Sequence, residues 1–147
     1  MHFLRFFKCD KWSEDEIKKI NGIVQTNGHE LPLTNPSCVV IYHKASLFEH
    51  SCKPNLSKSF SNKGEVIFWA PNAIKINEHM TISYTDVLWE TSNRRHHLKQ
   101  TKHFDCDCER CLDVTECGSY FSALKCLKCP EGMQIPNSLA EWTKEWK

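Results

Sequence analysis

Three cysteines lie close together in Asp105-Cys106-Asp107-Cys108-Glu109-Arg110-Cys111, a C-x-C-x-x-C spacing. Thiolates at such spacing hold one face of a zinc ion, and a structural zinc takes four ligands in a tetrahedron. The best-placed fourth thiolate is Cys52, upstream in Phe48-Glu49-His50-Ser51-Cys52-Lys53-Pro54-Asn55. The alternatives are free thiols or another fourth ligand. Cys126 and Cys129 form a later C-x-x-C, half of a zinc ribbon, which needs ligands from elsewhere. Cys117 could supply a third, although nothing in its spacing requires it. Between Cys52 and the cluster runs Met80-Thr81-Ile82-Ser83-Tyr84-Thr85-Asp86, a strand-like stretch whose tyrosine brings a hydroxyl. Alone, such a tyrosine is an ordinary strand aromatic.

These residues need elements to hold them. Ser13 reads as the N-cap of a helix over residues 12–24, with Glu14, Asp15 and Glu16 in its first turn and Ile17, Ile20 and Val24 on one packing face. Asn27-Gly28 reads as a turn dipeptide. Cys38 to Tyr42 is a short β-rich run in which Cys38 fits no metal spacing and reads as a buried thiol. Residues 56–60 and 65–70 read as two strands joined by the turn Ser61-Asn62-Lys63-Gly64. Asn77 suits a turn with positive φ. Thr91 to Leu98 starts a helix, and Arg94, Arg95, His96, His97, Lys99 and Lys102 read as its solvated face. Near the end, Trp142 and Trp146 would share a packing face if that run is helical.

A length of 147 residues with 40% hydrophobic content fits one ordinary domain. The formal net charge of +1, from 19 basic against 18 acidic residues, argues against broad nucleic-acid or acidic-membrane binding. Nine cysteines are an odd number in metal-type spacings, which favours zinc ligands and buried thiols over a disulfide scaffold. The first eight residues are too short and charged for a signal peptide, and no window reaches a membrane span. The expectation is a protein of the cytoplasm, the nucleus or both.

The loop Glu49-His50-Ser51-Cys52, the run ending Ile82-Ser83-Tyr84, and Phe104 ahead of the cysteine cluster together resemble the C-terminal half of a SET-domain protein-lysine methyltransferase. The likeness is to the SET-and-MYND (SMYD) family in its arthropod-type branch, over roughly residues 20 to 135. The resemblance implies an α+β, β-rich fold: small twisted SET-like sheets, a helical insert and a C-terminal cysteine-rich, zinc-binding post-SET segment. The implied division is 1–31 for the helical insert region, 32–90 for the C-terminal SET core, 91–117 for the post-SET segment and 118–147 for a partial zinc-ribbon-like tail. It implies Tyr84 as the catalytic tyrosine, and Asn27, Glu49, His50 and Phe104 as contacts of the methyl donor S-adenosylmethionine. Cys52, Cys106, Cys108 and Cys111 would be the zinc ligands, with Cys126 and Cys129 a partial second site.

Two departures bear on activity. Glu49 stands where the family loop has asparagine; a carboxylate accepts hydrogen bonds, whereas an amide also donates. The family's N-terminal Gly-x-Gly strand and MYND finger are not found in the chain. The expected function is therefore methyl transfer from S-adenosylmethionine to a protein lysine, histone or non-histone, by a truncated chain lacking full activity. The alternative is a non-catalytic, zinc-stabilised protein-interaction module; a zinc-ribbon nucleic-acid binder is a third reading that the charge balance disfavours.

Overall fold

The computed structural model describes residues 12–32 and 35–136. The paired tryptophans Trp142 and Trp146 lie outside them. The chain forms two compact units, one ending at Ser46 and the other beginning at Leu47.

In the first unit, helix α1 (Glu14–Asn27) starts on Ser13 with a capping box. The Ser13 hydroxyl accepts from the Glu16 N–H, and the Glu16 carboxylate accepts from the Ser13 N–H at 2.8 Å. The helix runs through Gly22 and past residue 24. Its expected packing face is only partly covered: Ile17 and Val24 are half-buried, but Ile20 is exposed. Asn27-Gly28 makes no turn. Asn27 is the last helical residue, and Gly28 opens the extended strand β1 (Gly28–Leu31) while its N–H still bonds to the Val24 carbonyl. This tight exit requires glycine, because a Cβ there would lie 2.4 Å from Val39 Cγ1 and 2.5 Å from the Val24 oxygen. Strand β1 pairs antiparallel with β2 (Cys38–Ile41), Leu31 facing Cys38. Cys38 is exposed, not the buried thiol expected. It sits on a two-stranded sheet whose second strand is largely open to solvent, so β-propensity carried no burial with it.

The second unit holds the cysteine cluster and Tyr84. Its short strand β3 (Glu49–His50) pairs in parallel with β6 (Thr81–Ile82). The pairing continues as Ser51 N–H to Ile82 O and Leu56 N–H to Thr81 O, each 3.1 Å. Between them lies the expected hairpin, β4 (Ser57–Phe60) and β5 (Val66–Trp69), turned at Gly64 with φ 78°. Asn77 takes the positive φ expected of it, 65°. Helix α2 (Thr91–Lys102) follows, then the single turn α3 (Glu109–Leu112) inside the cysteine cluster, then the hairpin β7 (Leu124–Lys125) with β8 (Met133–Gln134). The core of this unit is Leu98, Cys52, Cys106 and Cys111, with Tyr84, Phe104 and Cys108 packed against it. Small sheets with helices and a cysteine cluster give the mixed α+β architecture expected.

Arg94 corrects the reading of α2 as a uniformly solvated basic helix. Its side chain is fully buried and donates to Glu116 Oε1 at 2.8 Å and to the Thr91 hydroxyl at 2.7 Å, as well as to the Trp89 carbonyl. A carboxylate supplied from 22 positions later pays for the desolvation of this guanidinium.

Candidate functional site

The loop that follows β3 is fixed to its neighbour strand by Asn55. Its amide donates to His79 O at 2.8 Å and Glu78 Oε1 at 3.1 Å, while its oxygen accepts from the Thr81 N–H at 2.8 Å. Its own N–H bonds to the Thr81 hydroxyl. One residue thus locks residues 49–56 against the strand that leads to Tyr84. Asn55→Ala leaves these groups without that partner and is expected to cost roughly 1–3 kcal/mol, read as a lower urea midpoint with unchanged m.

The lock brings Cys52 to the C-x-C-x-x-C cluster. The ligand atoms of Cys52, Cys106, Cys108 and Cys111 all lie within 4.8 Å of one another. Cys111 Sγ is 3.5 Å from Cys52 Sγ, and Cys106 Sγ is 4.0 Å from it. Zn–S bonds of about 2.3 Å put the sulfurs of a tetrahedron roughly 3.8 Å apart. Three of the four residues are buried, Cys108 partly so. Hydrogen bonding from its three sulfur neighbours pushes the Cys52 thiol well down, whereas Cys106 and Cys111 are pushed up. Cys108 is lowered to about 5, chiefly by its contact with Cys106. Four convergent sulfurs repel one another as thiolates unless a cation sits among them. Distance, burial and donor set all fit one structural zinc.

Arg110, between two of these cysteines in sequence, ties the cluster to the unit. Its guanidinium donates to Cys52 O at 3.2 Å and Val87 O at 2.7 Å, and lies 5.3 Å from the centre of the Phe121 ring. Arg110, Glu116 and Asn55 were not singled out by the sequence, and Arg94 read there as solvated. Arg110 carried the one available signal, a charged residue inside the ligand run.

His50 joins the cluster to the aromatic residues. Its Nε2 lies 3.2 Å from Cys52 Sγ, and its Nδ1 accepts from the Tyr84 N–H at 3.0 Å. The Tyr84 ring is 5.1 Å and the Phe104 ring 5.8 Å from the imidazole, centre to centre. The Tyr84 hydroxyl donates to the Phe48 carbonyl. Burial, then the nearby Glu49 charge, push this phenol above its ordinary value, so it is protonated at neutral pH. Lys102 Nζ lies 5.7 Å from the centre of the same ring. His50, Tyr84 and Phe104 are therefore brought together. Glu49 is close by but exposed, its Oε2 2.8 Å from His79 Nδ1. Asn27 belongs to the first unit, where its amide donates to Ile23 O at 3.2 Å.

The partial second pair sits on the β7–β8 hairpin. The Cys126 N–H bonds to Gly132 O at 2.8 Å, and the Lys128 N–H points at Cys126 Sγ at 3.4 Å. Gly132 is needed there, since a Cβ would fall 2.2 Å from Cys129 Sγ. Cys117 is tied elsewhere, its N–H to Asp113 Oδ2 at 2.8 Å.

A buried four-cysteine cluster and a tyrosine just past β6, carried on small sheets, fit the architecture of a SET domain. The chain belongs to that family: the SET domain model matches residues 6–85. Among its relatives, SET domain-containing protein SmydA-8, isoform A, of Drosophila melanogaster is 33% identical over 99% of this chain and 32% of its own length. The putative SET domain-containing protein L678 of Acanthamoeba polyphaga mimivirus is 31% identical over 72% of this chain and 40% of its own length. Human histone-lysine N-methyltransferase SMYD3 is 40% identical over 50% of this chain and 17% of its own length. The chain thus spans well under half the length of these relatives. No described helix is long and apolar enough to cross a membrane.

Proposed function

We propose that this chain carries the cofactor- and acceptor-facing part of a protein-lysine methyltransferase, using S-adenosylmethionine as methyl donor and a lysine of a histone or other protein as acceptor. The observation that supports this most is the set of His50, Tyr84 and Phe104 held against a four-cysteine cluster. In this reading Cys52, Cys106, Cys108 and Cys111 hold a structural zinc, and Cys126 and Cys129 are half of a second metal site.

The donor supplies an electrophilic methyl on a sulfonium. The acceptor lysine first gives its ammonium proton to water; its neutral nitrogen then forms the new C–N bond as the C–S bond breaks, leaving a methylammonium and a neutral thioether. Tyr84, being a neutral phenol, does not take the acceptor's proton. Its O–H is spent on the Phe48 carbonyl, which leaves oxygen lone pairs to orient an incoming amine. Phe104 offers a ring for the adenine, and His50 and Glu49 border the same space. Asn27 is proposed as a further cofactor contact by resemblance. Cytoplasm and nucleus are the proposed compartments.

Titration of the 15N-labelled chain with S-adenosylmethionine tests the reading, even at weak affinity. Shifts centred on His50, Tyr84 and Phe104 are expected; shifts confined to other residues, or none at millimolar donor, overturn it. Phe104→Ala is expected to weaken binding about tenfold to a hundredfold, since stacking a base on an aromatic ring is worth roughly 1–3 kcal/mol.

A further inference from the structure

We infer that Lys102 is a modification site, a methyl acceptor within the chain whose side-chain amine is placed to receive a methyl group at Tyr84. The inference rests on the proposed methyltransferase reading, because the methyl comes from the same donor, S-adenosylmethionine. It stands on where the amine lies. Lys102 Nζ is 5.7 Å from the centre of the Tyr84 ring. Among the described residues, Lys102 is the one lysine that is not exposed. Lys18, Lys53 and Lys99, by contrast, meet carboxylates on largely exposed side chains.

The backbone brings the amine there. Lys102 ends α2, and His103 leaves the helix in the left-handed conformation, φ 62°, on the way to Phe104. Lys102 thus stands two residues before the ring offered to the adenine, with its amine at the tyrosine. A flexible four-carbon stem lets that nitrogen swing between the aromatic face, which attracts its charge, and the hydroxyl edge. Methyl transfer needs a neutral nitrogen. Burial, and then the charge of Lys58, hold the Lys102 ammonium below the ordinary lysine range. The ammonium first gives a proton to water. The neutral Nζ then forms a C–N bond to the donor's methyl as the C–S bond breaks, leaving methylated, still cationic Lys102 and a neutral thioether. No separate acceptor has to be met, so the step is intramolecular and gains from proximity. The methylated product keeps its charge and its attraction to the ring.

The test is incubation of the full chain with S-adenosylmethionine carrying a trideuteromethyl group, without any peptide acceptor, followed by peptide mass spectrometry. The inference expects label at Lys102, entering roughly tenfold or more faster than at exposed lysines such as Lys63 and Lys75. The fraction labelled per unit time should not change when the chain is diluted. Tyr84→Phe should slow labelling at Lys102 about a hundredfold while its zinc content, read by native mass spectrometry, stays that of the wild type. No label at Lys102, label spread evenly over the exposed lysines, a rate that falls on dilution, or labelling indifferent to Tyr84→Phe each overturns the inference. The donor titration of the 15N-labelled chain keeps the two failures apart. Shifts at His50, Tyr84 and Phe104 with Lys102 unlabelled overturn this inference alone, whereas the absence of those shifts overturns the methyltransferase reading beneath it.

Discussion

Glu116→Ala should destabilise the second unit more than any other single change considered, by about 3–5 kcal/mol in urea unfolding of the metal-loaded chain. The Glu116 carboxylate is fully buried and meets Arg94 at 2.8 Å and the Thr91 hydroxyl at 2.5 Å, with Arg110 Nη2 at 3.7 Å. Its removal leaves the Arg94 guanidinium buried without a counter-charge, and the penalty is the desolvation of that cation. Replacing both partners, Arg94→Met with Glu116→Leu, should recover much of the loss, because two apolar groups of similar volume need no pairing. A double variant no more stable than Glu116→Ala would show that the network matters through shape alone. Burial by itself would raise the Glu116 carboxyl, but hydrogen bonds from Thr91 and Arg94 outweigh it and hold the group below its ordinary 4.5. A depressed carboxylate contributes stability that is present above pH 4.5 and lost as pH falls through the folded-state value.

Under the proposed methyltransferase function, Tyr84→Phe should lower methyl transfer by about a hundredfold or more, with donor affinity nearly unchanged. The hydroxyl is the only part of the side chain removed. The ring still packs against His50, and the backbone N–H that His50 accepts from is untouched. The loss therefore falls on kcat, where the oriented oxygen acts, and not on binding of the donor. Single-turnover transfer to an acceptor lysine peptide, beside donor binding by calorimetry, separates the two. Loss of binding equal to the loss of rate would make Tyr84 a packing residue, and unchanged transfer would remove it from the chemistry. Unchanged transfer would also favour the non-catalytic interaction module.

The parts of this arrangement that were legible in the sequence are those with a local signature. Cys106, Cys108 and Cys111 announce themselves by spacing, Gly64 by its turn, Ser13 and Glu16 by the capping box, and Asn77 by its tolerance of positive φ. Cys52 could be joined to the cluster because a tetrahedron demands a fourth ligand. Arg94 could not be read correctly, because a basic residue on a polar helix looks solvated until its partner is known. That partner, Glu116, comes from a later turn with no periodic relation to the helix. Asn55 escaped for a related reason: its hydrogen bonds run to residues 78–81, and only the parallel pairing of β3 with β6 brings those residues near. Cys38 shows the opposite failure, a β-rich run whose sheet stays open on that strand.

The account turns on one metal ion held by Cys52, Cys106, Cys108 and Cys111, since that cluster seats both the loop and His50. Native mass spectrometry of the chain, with Cys126 and Cys129 replaced by serine to silence the half-site, measures this directly. One zinc per chain is the predicted result, lost on adding Cys52→Ser. A chain that carries no zinc, or that keeps its zinc when Cys52 is replaced, would contradict the account.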